Sequence, residues 1–197
     1  VFSDLHLQGL TRLASKIKSE NSVAICQLHH AGMRSPAELI GETPICPSGN
    51  EEPGARALTT VEVEQLISDF IAAAVRAERA GFDGVEIHGA HGYILCQFLS
   101  SEINHRQDQY GGSLENRMRL TLDVFSAVRA CVPENIVVGV RISATDWVPG
   151  GWDVEQSTTL AIELDKLNCH YLHVSSGGLS PQQEIPVEAG YQVSLAE

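Results

Sequence analysis

Apolar positions along this chain follow two alternating patterns, a helical spacing and short unbroken runs, and the alternation predicts a helix followed by a strand four times over. Leu7, Leu10, Leu13, Ala14 and Ile17 share one face, with Lys16 and Lys18 near the end, which predicts an amphipathic helix over Phe2 to Lys18. Asn21-Ser22 breaks the pattern. Val23 to Leu28 is then an apolar run with a polar end, the pattern of a strand buried on both faces, and His29-His30-Ala31-Gly32 follows as its loop. Met33 to Ala57 shows no sustained period and carries Pro36, Pro44, Pro47 and Pro53, so a long loop is expected, and a loop of that length in a compact domain is usually functional. Thr59 with Glu62 makes a capping box, and Val63, Leu66, Ile67, Phe70 and Ala74 carry a helix on to a stop at Gly81. The next strand begins at Gly84. A short helix is expected over Ile94 to Leu99 and a longer one over Ser113 to Cys131, then a strand over Ile136 to Ile142. A helix over Val154 to Leu167 and a strand over His170 to Val174 complete the series, the latter running into Ser175-Ser176-Gly177-Gly178.

Such alternation calls for parallel strands joined by right-handed crossovers. Every strand ends in polar or Gly-rich chain: Gln27 and His29, His88 and His91, Arg141 and Ser143, Ser175 and Ser176. A (β/α)₈ (TIM) barrel and a doubly wound sheet both place chemistry at the C-terminal ends of parallel strands. No G-x-G-x-x-G follows any strand, which favours the barrel. A full barrel takes roughly 250 residues, so four strands amount to about half of one. The chain opens on Val1 and closes on Ala196-Glu197 in what reads as the start of another helix, and residues 1–197 are therefore expected to be a partial barrel domain within a longer protein.

The strand that begins at Gly84 matters most. Val85 and Ile87 fall on one face and Glu86 and His88 on the other, and the exit carries His88, His91 and Tyr93 between the small residues Gly89, Ala90 and Gly92. Either histidine alone reads as a hydrogen-bonded structural residue. With Tyr93 at fixed spacing, a catalytic or ligand-binding reading prevails.

Composition narrows the class. The 197 residues are 43% hydrophobic and 19% charged, as in ordinary globular proteins. A formal charge of -12 disfavours nucleic acid and anionic membranes as partners. Cys26, Cys46, Cys96, Cys131 and Cys169 are odd in number and form no metal-binding spacing, which argues against a disulfide framework and for a reducing, cytoplasmic setting. No apolar run reaches membrane-spanning length. Cys96 reads as helix packing, and His29, His30 and His105 as satisfied loop histidines.

Several blocks together resemble the old yellow enzyme family of FMN-dependent ene reductases, which fold as TIM barrels. They are Gln27-Leu28-His29-His30-Ala31-Gly32, Gly81 through Tyr93, Phe98-Leu99-Ser100, Asn104-His105-Arg106, and Asp108 through Arg117. Gly190-Tyr191-Gln192-Val193 adds a likeness to the subgroup with paired histidines, and on this alignment the chain covers the third to sixth barrel strands. The resemblance implies FMN as cofactor, NAD(P)H as hydride donor, and an electron-poor alkene as the small-molecule partner; a homo-oligomer is compatible with it. His88 and His91 match the pair that donates hydrogen bonds to the substrate's carbonyl or nitro oxygen, and Tyr93 matches the proton donor to the α-carbon. Gln27 matches a residue on the pyrimidine edge of the flavin. Arg141 matches the cation beside N1 and O2, where a unit-charge pair at ~4 Å is worth about 4 kcal/mol at an effective dielectric of 20, enough to raise the flavin's reduction potential. Arg34 stands where the subgroup often carries Lys, at the flavin or substrate edge, and Ser175 and Ser176 fall near the flavin.

Without the resemblance, Arg141 reads equally well as a salt-bridge partner for Glu86. The Tyr110 to Arg117 block reads as structural, with Glu115 and Arg117 tying its loop down. Three other functions compete: an iron–sulfur-containing relative acting on dienoyl thioesters or amines, a metal-dependent hydrolase using His88 and His91 as ligands, and an inactive fragment. A polypeptide limited to this span would bind FMN poorly and expose unpaired strand edges.

Overall fold

The computed structural model describes residues 1–49 and 54–197. A 3₁₀ turn at Asp4–His6 leads into α1, Leu7–Ser19, so the regular helix starts later than Phe2. Only Ala14 is fully buried along it; Leu7, Leu10 and Ile17 pack partly against the core while Leu13 is exposed. Asn21 ends the segment in a left-handed conformation, and β1 runs Ile25–Leu28.

The segment expected to be one long loop contains short regular pieces: a 3₁₀ turn at Gly32–Arg34, α2 over Ala37–Ile40, and a two-residue parallel pair of β2, Ile45–Cys46, with β3, Arg56–Ala57. None is long enough to leave a periodic signature. Pro53 lies outside the described residues. α3 spans Thr60–Arg79 behind a complete capping box, in which Thr59 N donates to Glu62 Oε2 at 2.8 Å and Glu62 N donates to Thr59 Oγ1 at 3.3 Å.

β4 (Gly84–Gly89) leads to α4 (Ile94–Leu99) and α5 (Leu114–Cys131). β5 (Val137–Ser143), α6 (Val154–Lys166) and β6 (Leu172–Ser175) follow. The four main strands pair in parallel in the order β1-β4-β5-β6, which is chain order with no reversal. A doubly wound sheet reverses its order at a switch point. Here successive helices are neighbours instead, α1 against α3, α3 against α5 and α5 against α6, so they form one layer over one face of the sheet. That is half of a TIM barrel.

The helix layer covers Cys26, Leu28, Val85, Ile87, Val138, Val140 and Ile142, all in the buried core. The opposite face carries the polar residues, in registers that align Gln27 with Glu86 and Gly139, and His88 with Arg141 and His173. β1 is buried on one face only: Cys26 and Leu28 are buried, Ile25 and Gln27 exposed. The sequence pattern pointed to two buried faces; as an edge strand, β1 has a neighbour on one side alone.

The Tyr110 to Arg117 block is structural, with one partner exchanged. Arg117 donates through Nη1 to the Leu99 carbonyl and through Nη2 to Gln156 Oε1, at 2.7 Å. Glu115 pairs instead with Arg119, at 3.6 Å on the surface. Ser113 caps α5 by accepting from Asn116 N.

Replacing Thr59 by Ala removes one half of the box on an exposed helix start. The expected cost is about 1 kcal/mol, measured as a lower urea midpoint at unchanged slope.

Candidate active site

β4 delivers His88 to the polar face and then turns. His91, at φ 56, takes the left-handed conformation that histidine tolerates better than most residues. Its backbone N–H donates to Ser143 Oγ at 3.0 Å, and its Nε2 lies 2.7 Å from Ser175 Oγ. Ser143 in turn donates to the Gly177 carbonyl at 2.7 Å. The β4 exit is thereby tied to the ends of β5 and β6. Gly92, at φ 71, lies so close to Arg34 and the Gly178 carbonyl that a Cβ would come within 2.6 Å of each. Tyr93 is the N-cap of α4, and its ring sits edge-on to His88 with centroids 5.0 Å apart. His88 and His91 are 5.3 Å apart, also edge-on. The three residues singled out at this strand exit form one cluster.

The protonation of His88 follows from its surroundings. The Ala90 backbone N–H donates to His88 Nδ1 at 3.1 Å, so in the neutral ring the proton is on Nε2. Burial, then the neighbouring His91 and Arg141, lower its pKa to about 4. His88 is therefore a neutral donor at pH 7. Burial and then Arg141 also push the His91 pKa down.

Arg141 does not pair with Glu86. That carboxylate accepts from Gln27 Nε2 at 2.5 Å and meets His173 Nδ1 at 3.0 Å. Arg141 Nε is buried with no hydrogen-bond partner among the described residues. Ser175 joins the cluster through His91, whereas Ser176 accepts from Gln192 Nε2 at 2.9 Å, one residue beyond Tyr191. Arg34 bonds backbone carbonyls: Nε to Gly92 at 3.2 Å, and Nη2 to Gly178 and Leu179. It straps the β4 and β6 loops together beside His91.

The remaining histidines divide. His30 Nδ1 accepts from Gly32 N, as a satisfied loop residue would. His29 instead has its ring 4.9 Å from Tyr93 and 6.1 Å from His88, so it belongs to the cluster. Its position two residues after Gln27, on the same face, was the available signal. His105 engages Ser48 only through its backbone N–H. Cys96 is fully packed in α4, and burial pushes its thiol up to about 12, which removes it as a nucleophile. All five cysteines are free. Among the described residues no group of three or more His, Cys, Asp or Glu side chains is placed to hold a metal ion, and no helix is long and apolar enough to cross a membrane.

The family model of the NADH:flavin oxidoreductase / NADH oxidase family matches residues 1–191. The chain belongs to this family. It is 37% identical to NADH:flavin oxidoreductase FG08077 of Gibberella zeae, covering 100% of this chain and 55% of that protein. It is 40% identical to an NADPH dehydrogenase of Clostridium acetobutylicum, covering 100% and 58%. The old yellow enzyme homologue of Zymomonas mobilis superposes with a TM-score of 0.82 at 31% identity, over 92% of this chain and 56% of that one. The chain thus spans about half the length of these relatives.

For a member of the NADH:flavin oxidoreductase family, the group to fit is a flavin. Half-buried Arg141 suits it, because its buried Nε has no acceptor among the described residues and a donor of that kind calls for a ligand with oxygens or negative charge.

The neutral state of His88 has a measurable sign. Its folded pKa, about 4, lies below the ordinary histidine value, so between the two the unfolded chain binds the extra proton. Stability is expected to fall as pH drops from the ordinary histidine range toward 4. In histidine NMR spectra the His88 signals should be flat above pH 5 or so; a midpoint near the ordinary value would contradict the burial argument.

Proposed function

We propose that residues 1–197 are the flavin-binding part, third to sixth strands, of a TIM-barrel ene reductase of the paired-histidine subgroup. Its FMN is reduced by NAD(P)H, and its substrates are α,β-unsaturated carbonyl or nitro compounds. The observation that carries this reading is His88 itself: Ala90 N–H donates to its Nδ1, which puts the proton of the neutral ring on Nε2, and the ring stands beside His91 and Tyr93. The family match and the free cysteines, which suit a reducing cytoplasm, support it.

The chemistry FMN supplies when bound is transfer of hydride from NAD(P)H to the β-carbon of the alkene. Arg141 would hold its N1 and O2 side and Gln27 its pyrimidine edge, with Ser175, Ser176 and Arg34 at the surrounding loops. Negative charge grows on the substrate's carbonyl or nitro oxygen during the reaction. His88 Nε2–H meets that charge as a donor whose ring is already oriented by Ala90, so little reorganisation is needed. For His91 to be the second donor its proton must sit on Nδ1, which requires the Ser175 hydroxyl, 2.7 Å away, to donate to Nε2. Neutral donors also avoid placing two more cations beside Arg141. The Tyr93 phenol gives its proton to the α-carbon and is held in place by the rings of His29 and His88.

The full-length protein that contains residues 1–197 should show an oxidised-flavin absorption spectrum when purified; a colourless preparation that FMN does not restore would overturn the assignment. His88→Ala or His91→Ala should weaken phenol binding and slow alkene reduction by roughly 10²-fold, with much less effect on flavin reduction by NAD(P)H. Equal losses in both half-reactions would contradict the oxyanion-donor role. Tyr93→Phe should slow turnover of an enone by about 10²-fold, and an unchanged rate would remove it as the acid.

A further inference from the structure

Two residues before His88 on the same strand, a buried carboxylate has no part in the chemistry above. Glu86 is 7% exposed and stands opposite Gln27 on β1 and Gly139 on β5. Gln27 Nε2 donates to its Oε1 at 2.5 Å, and His173 Nδ1 lies 3.0 Å from its Oε2. The Tyr171 hydroxyl approaches the same carboxylate and helps to lower its pKa. Tyr171 reaches it across Gly139, where a Cβ would fall 2.3 Å from the ring. Burial raises the Glu86 pKa, but the donors outweigh it and hold the group below the usual range, as a carboxylate.

A carboxylate only accepts hydrogen bonds. Gln27 must therefore turn an amide N–H toward Glu86, which leaves Oε1 and the second N–H of this exposed side chain free for a ligand on the polar face of the sheet. We propose that Glu86 is a positioning residue for the flavin: it locks the Gln27 amide in one of its two flip states and so decides which edge the ligand meets. The pyrimidine rim of an isoalloxazine carries one N3–H donor flanked by two carbonyl acceptors. An acceptor with a donor beside it is the complement of that rim. The inference rests on the flavin reading given above.

The test uses the full-length apoprotein, titrated with FMN and with N3-methyl-FMN, which lacks the donor. The unmodified protein should prefer FMN by at least about tenfold, the worth of one well-placed hydrogen bond. Glu86→Gln lets either flip state of Gln27 bond to residue 86, so FMN affinity should drop about tenfold and the preference should largely vanish. In a Gln27→Met background, Glu86→Gln should have almost no further effect, because the two residues act in series. A purely structural role for Glu86 would weaken both flavins equally and would persist without Gln27; either result overturns the proposal. Should Glu86→Gln fail to fold, the Gln27 side-chain amide can be followed by NMR in the unmodified protein. One amide proton should be strongly shifted and protected from exchange with and without FMN, and two equivalent exchanging protons would overturn the lock. FMN binding with unchanged preference removes this proposal alone, whereas failure of the unmodified protein to bind FMN removes the flavin reading and the proposal together.

Discussion

The parallel register of β4 with its two neighbours is the constraint on which the site depends. Gln27, Glu86 and Gly139 share one row, and His88, Arg141 and His173 the next. Side chains alternate between faces along a strand, so a slip of one residue would turn Val85 and Ile87 to the polar face and bury Glu86 and His88 under the helices. Val85, Ile87, Val138 and Val140 are fully buried there, and their apolar area holds the register in place. The helix layer thus specifies the chemistry of the face it does not touch.

Charge on that face is arranged as unequal neighbours. The Glu86 carboxylate meets two hydrogen-bonding partners, Gln27 and His173, while Arg141 in the next row has a guanidinium nitrogen without an acceptor among the described residues. A buried ion with partners is settled, whereas one without them is costly unless a ligand completes it. Burial first, and this cation after it, lower the pKa of both nearby histidines.

The loops that carry the site are held by arginines bonded to backbone carbonyls. Arg34 joins the β4 and β6 loops, and Arg117 holds the Leu99 carbonyl at the end of α4. Arg106 reaches the Pro47 and Leu58 carbonyls while pairing with Asp108, whose pKa it pulls down to about 2. Carbonyls left free by irregular chain need donors, and a planar guanidinium can serve several at once. Loops fixed in this way can hold catalytic groups as firmly as strands do.

Much of this was legible in the sequence. Alternating periods identified the helices and strands of the half barrel, the Thr59–Glu62 box placed the start of α3, and the strand exit singled out His88, His91 and Tyr93. These signals are local: spacing, capping and turn chemistry act within a few residues. Contacts across strands were not legible. That Glu86 would take Gln27 and His173 in place of Arg141, with Tyr171 packed over Gly139 beside it, depends on register and on the absent side chain at Gly139, some 50 to 90 positions distant in the chain. That His29 would join the ring cluster, and that β1 would be covered on one face, likewise depended on which strands became neighbours. Periodicity tells a strand which residues share a face; only packing against the rest of the chain decides what they meet there.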